Sequence, residues 1–64
     1  MAISIKAARV NAELTQEQVA KKLRKSKSTI VNYETYTTPV PIDVALEMAE
    51  LFGMSVNDIK WTQD

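Results

Sequence analysis

The run Leu14-Thr15-Gln16-Glu17-Gln18-Val19 restricts the fold of this chain more than any other stretch. Thr15 is a good N-cap, and Gln18, three residues on, completes a capping box with it. Leu14 and Val19 then occupy the two positions of a hydrophobic staple. These residues predict a helix from Thr15 to Leu23, with Val19, Ala20 and Leu23 as its buried stripe and Gln16, Glu17, Lys21 and Lys22 outward. Ser26 offers a second N-cap soon afterwards, opening a segment that runs to about Thr35. Ile30, Tyr33 and Glu34 would face inward there, and Lys27, Ser28, Val31 and Asn32 outward. Ser, Thr, Ile, Val, Asn and Tyr all rank low as helix formers. A strand is the alternative, but a lone short strand does not stand in water, so a helix is expected. Poor propensity on an exposed face points to another use for those side chains.

Further helical signals lie on either side. Ser4 to about Asn11 reads as a first helix with Ile5, Ala8 and Ala12 on one side. Tyr36 to Pro41 is loop, holding both prolines. Asp43 to Phe52 is a strong helix whose inward positions are Val44, Ala45, Met48, Ala49 and Phe52, with Gly53 where a left-handed C′ residue is wanted. Ser55 begins a last turn or two, with Asp58 at N3 and Met54 opposite Ile59 as a second staple. The expectation is an all-α, compact five-helix domain over residues 1–64, with a helix-turn-helix at about 15–35 and C-terminal helices at about 42–60.

Composition narrows the function. The chain has 64 residues, no cysteine, no histidine and one glycine. One domain is the upper bound, and a core of this size supplies about 3–5 kcal/mol. Imidazole bases, thiolate nucleophiles and ordinary zinc sites are excluded, and phosphate-cradling loops need more glycines. No enzyme activity, metal, cofactor or small-molecule ligand is expected. No apolar stretch approaches the roughly 18 residues that span a bilayer, and the first residues meet a charge before any signal-like run. A cytoplasmic, membrane-free protein is expected. Although the formal net charge is zero, residues 1–27 carry seven bases against two acids, and residues 28–64 one base against six acids. Such asymmetry hints at a polyanionic partner on the basic side; equally, the lysines could coat a solvated helix face.

Two helices joined by a short turn make either a helix-turn-helix or an αα-hairpin. Here the residues go further. LTQEQVAKKLRKSKSTIVNYE, Leu14 to Glu34, closely resembles the phage-repressor and Cro-like (XRE-type) helix-turn-helix family, and ALEMAELFGMSVNDI, Ala45 to Ile59, resembles its fourth and fifth helices. The resemblance implies a lambda-repressor-like DNA-binding domain and a sequence-specific transcriptional regulator, expected to be a repressor that reads the major groove of an operator with its third helix. It implies base contacts from Lys27, Ser28 and Asn32, with Val31 beside them: Lys donates to guanine O6 and N7, Asn pairs with adenine, and Val packs on a thymine methyl. Thr15 and Gln16 match a phosphate-docking helix start, where orphan N–H groups favour an anion in any case. Thr15 also caps its own helix, which leaves Gln16, with a free amide, as the better candidate. Arg24, Lys25, Ser26 and Thr29 are the other expected phosphate contacts, while Lys21 and Lys22 are undecided between phosphate and solubility. Arg9 and Glu34 match a pair that joins the first helix to the third by a salt bridge.

This sequence departs from the family pattern at three places. Arg24 and Tyr36 stand where the family has glycines, and the loop Tyr36-Thr37-Thr38 lacks the bases often found there. A homodimer through Val56, Ile59 and Trp61 is expected, because one helix-turn-helix reads only a few base pairs; the alternative is that Trp61 folds back to cap the monomer core. The rival reading is the same fold used as a protein-interaction module, antirepressor-like or antitoxin-like, which zero net charge and the base-poor loop favour.

Overall fold

The computed structural model describes residues 1–63. Its helices are α1 (Ile5–Asn11), α2 (Gln16–Leu23), α3 (Lys27–Glu34) and α4 (Ile42–Phe52). Three starts are side-chain capped. Ser4 Oγ accepts from the Ala7 amide at 3.0 Å, and Ser26 Oγ from the Thr29 amide at 3.2 Å. At α2 the capping box is complete: Thr15 Oγ1 accepts from the Gln18 amide at 3.1 Å, and Gln18 Oε1 accepts from the Thr15 amide at 2.8 Å. Pro41 begins α4 without a side-chain bond, its φ of −60° already suited to the helix that follows.

Four α-helices form among the described residues, not five. Ser55 caps a single 3-10 turn, Val56–Asp58, and the chain then extends. Ile59–Lys60 (β2) pairs in parallel with Ile3–Ser4 (β1), Ile3 opposite Ile59 and Ser4 opposite Lys60. The staple between Met54 and Ile59 is correctly placed for a helix start, but so short a segment gains little from helix nucleation. An extended Ile59 instead reaches the core, where it is buried, and its backbone finds ladder partners at the N-terminus.

The core is one cluster of Ile5, Ala8, Val19, Ala20, Ile30, Tyr33, Val44, Met48, Ala49, Phe52 and Ile59. Ile5, Val19, Ile30 and Met48 are fully buried, one from each helix, so each of the four helices is anchored to the same centre. Burying such a side chain contributes about 1.5–3 kcal/mol.

All four helices end in the same way. Glu13, Arg24, Tyr36 and Gly53 hold φ of 59°, 58°, 60° and 69°. The amide after each bonds a carbonyl five residues before it: Leu14 to Arg9, Lys25 to Ala20, Thr37 to Asn32 and Met54 to Ala49. These are Schellman closures. Arg24 and Tyr36 therefore keep the left-handed geometry of the glycines they replace, at a cost of about 1–2 kcal/mol each. At Tyr36 there is compensation: its hydroxyl donates to the Lys60 carbonyl at 2.8 Å and accepts from the Ile5 amide at 3.4 Å. The hydroxyl thereby ties the end of α3 to β2 and to the first residue of α1.

Candidate nucleic-acid interface

A buried polar cluster sets how α2 and α3 sit. Arg9, on α1, donates from Nε to Glu34 Oε2 at 2.5 Å and from Nη1 to the Leu14 carbonyl at 2.7 Å. Gln16 donates from Nε2 to Glu34 Oε1 at 3.0 Å. The Arg9 and Glu34 side chains are only 11% and 4% exposed, so their charges are satisfied by each other rather than by water. No buried side-chain nitrogen or oxygen among the described residues lacks a partner. One carboxylate thus joins the first helix, the start of the second and the end of the third. The Gln16 amide is not free, as the sequence had suggested. It already spans from α2 to α3, which leaves one of its two N–H groups for any outside acceptor.

Around this support α3 divides cleanly. Ile30 and Tyr33 are buried; Lys27 and Ser28 are exposed in its first turn, and Val31 and Asn32 are half-exposed one turn on. The Asn32 side-chain amide makes no hydrogen bond among the described residues, although its backbone carbonyl accepts from the amides of Thr37 and Thr38 at 2.9 and 3.3 Å. Ser26 and Thr29 share a hydroxyl–hydroxyl hydrogen bond of 2.9 Å on top of the cap, so they enter any contact as a joined pair. Thr15 is exposed with its oxygen engaged in the cap. Arg24 and Lys25 are exposed in the turn, and Lys21 and Lys22 on α2. The exposed acids Asp43, Glu47 and Glu50 belong to α4 instead. What results is a short helix with a polar, partly unpartnered outer face, flanked by cations.

The family model described as helix-turn-helix matches residues 5–59. The chain belongs to the phage-repressor and Cro-like (XRE-type) helix-turn-helix family. This is a family of DNA-binding transcriptional regulators, and membership puts the protein among them. No curated protein and no solved structure matches the chain.

Within this helix-turn-helix protein, the residues expected at DNA and those expected at a dimer interface lie apart. Lys27, Ser28, Val31, Asn32, Arg24, Lys25, Ser26, Thr29 and Gln16 lie on or between α2 and α3, and Thr15 caps the start of α2. Val56, Ile59 and Trp61 lie at the other end of the chain, and Ile59 is buried within the monomer, so it offers a partner no surface. Trp61 is half-buried and donates from Nε1 to the Val56 carbonyl at 2.9 Å. With Tyr36, Pro39 and Val40 it lines an open cleft of about 210 Å³.

One participant escaped the sequence reading. Glu17 Oε2 lies 3.9 Å from Lys27 Nζ, which joins the start of α2 to the start of α3. An acid in a first helical turn is ordinary, and nothing local signals that the next helix brings a lysine to it. Among the described residues no helix is long and apolar enough to cross a membrane, and no group of acidic side chains assembles a metal site.

Proposed function

We propose that this protein is a sequence-specific repressor that binds double-stranded operator DNA with α3 in the major groove, working in the cytoplasm as a homodimer. Residues 1–64 act as one helix-turn-helix unit. The observation that carries this reading is the outer face of α3: Lys27, Ser28 and Asn32 are available to an outside partner on a helix otherwise anchored by Ile30 and Tyr33. Lys27 meets guanine O6 and N7, Asn32 an adenine, and Val31 a thymine methyl, with Ser28 between them. Arg24, Lys25, Ser26, Thr29, Thr15 and the remaining Gln16 N–H position the unit on phosphates. Occupying the groove is enough to exclude other proteins, which is why repression is the simplest output. Dimerisation uses Val56 together with Trp61, which lines the apolar cleft, and gives two half-sites about 34 Å apart.

Selection of binding sites from random duplexes at moderate salt tests this. Enrichment of a two-fold symmetric sequence is expected. With that duplex, Asn32→Ala should cost about 1–3 kcal/mol and relax preference at one base pair, while Lys25→Ala should weaken every duplex alike. One observation favours the other reading, a protein-interaction module: the loop Tyr36-Thr37-Thr38 after α3 carries no base. Failure to enrich any duplex would give that reading precedence.

A further inference from the structure

The described residues contain two salt bridges, Arg9–Glu34 in the core and Lys27–Glu17 at the surface. The second has no packing role, because Lys27 and Glu17 are 55% and 73% exposed at their side chains. Yet Glu17 is singular. Between residues 15 and 35 the chain has two acids, and the other, Glu34, is buried on Arg9 and Gln16. Glu17 is therefore the one exposed negative charge in a region that carries Lys21, Lys22, Arg24, Lys25 and Lys27. Of those five cations it holds Lys27, the one placed to read a base.

A lysine at a reading position creates a physical difficulty. Its ammonium is a compact point charge on a flexible stem, and it reaches a phosphate as readily as a base edge. Phosphate contacts are alike on all sequences, so a free Lys27 would strengthen non-cognate binding as much as cognate binding. Resting on the reading of this protein as a sequence-specific DNA binder, we propose that Glu17 is a specificity-determining residue. It pairs with Lys27 in the free protein and over non-cognate DNA, withholding that charge from phosphate. Lys27 leaves only where guanine offers O6 and N7 together. An exposed ion pair is weak and screened by salt. It can compete with one screened phosphate, and it yields to a two-point base contact. Arg24 and Lys25 have no such partner and supply the sequence-independent attraction.

The test titrates wild type and Glu17→Gln against the selected duplex and a scrambled one across salt. On the scrambled duplex the variant should bind about three- to fourfold tighter at 50 mM than wild type, with the advantage fading towards 200 mM, because one more phosphate contact steepens the salt slope by about 0.9. On the selected duplex its affinity should change by less than about twofold, so the ratio between duplexes falls. In a Lys27→Met background, Glu17→Gln should no longer alter the slope. Equal tightening on both duplexes, no change on either, or a slope change that persists without Lys27 would overturn the proposal. A wild-type protein that does not distinguish the two duplexes is a separate failure: it removes the functional reading first, and this inference with it.

Discussion

Helices α3 and α4, of eight and eleven residues, solve opposite problems. Of its eleven residues α4 buries Val44, Ala45, Met48, Ala49 and Phe52, a continuous stripe that holds it against α1 and α2. α3 buries only Ile30 and Tyr33 of its eight, and its residues are poor helix formers. The stability of α4 is intrinsic to its apolar face. That of α3 rests on Ile30 and Tyr33 and is supplemented at its ends by the Ser26 cap, the Arg9–Glu34–Gln16 cluster and the Tyr36 hydroxyl. With its inner side held by Ile30 and Tyr33, α3 leaves Lys27, Ser28, Val31 and Asn32 on its outer side.

The contrast can be broken most severely at Glu34. Glu34→Ala would leave the Arg9 guanidinium buried without its counter-charge, a loss of about 3–5 kcal/mol. That matches the whole stability expected of a core this size, so no cooperative unfolding transition should survive at 25 °C by circular dichroism. Replacing both partners, Arg9→Met with Glu34→Leu, should restore the transition, since burial without charge removes the penalty. If Glu34→Ala alone unfolds normally, the Arg9–Glu34–Gln16 cluster does not hold α3 in place.

Smaller in effect, and opposite in sign, are two replacements by glycine. Arg24→Gly relieves a left-handed residue whose exposed side chain makes no hydrogen bond or ion pair among the described residues, and should raise stability by about 0.5–1 kcal/mol after the unfolded-state entropy of glycine is deducted. Tyr36→Gly relieves the same strain but loses the bonds to Lys60 and Ile5 and the half-buried ring, so it should lower stability by about 1 kcal/mol. Thermal unfolding of the pair reads the difference directly; a gain from both would mean that the Tyr36 clasp contributes nothing.

The smallest effect is expected on the outer side of α4. Leu46 is 53% exposed there, and Leu46→Gln should change stability by less than about 0.5 kcal/mol in a denaturant titration. A larger loss would show that α4, too, depends on contacts outside its buried stripe.

Much of this architecture is local and therefore readable along the chain. A capping box, an N-cap serine and an i, i+4 apolar stripe involve neighbours in sequence, so α2, the start of α3 and nearly all of α4 follow from residue order. The family resemblance likewise gathers the expected DNA contacts onto α2, α3 and the turn between them. The last segment was not readable in that way. Ser55 and Asp58 form a plausible helix start, but Ile59 can be buried only by extending towards Ile3, and that partner is distant in sequence. The Gln16 amide looked free because its acceptor, Glu34, lies on another helix.

Residue order by itself determined where the four α-helices lie, which of their faces are apolar, and that the basic and acidic charges divide between the two halves. Only the tertiary structure decided that Arg24 and Tyr36 take up the left-handed conformation of a glycine, that one carboxylate locks three helices, and that Glu17 meets Lys27. Caps and stripes depend on neighbours along the chain, whereas these pairings depend on which helices pack together, and that is set by the shared core around Ile5, Val19, Ile30 and Met48.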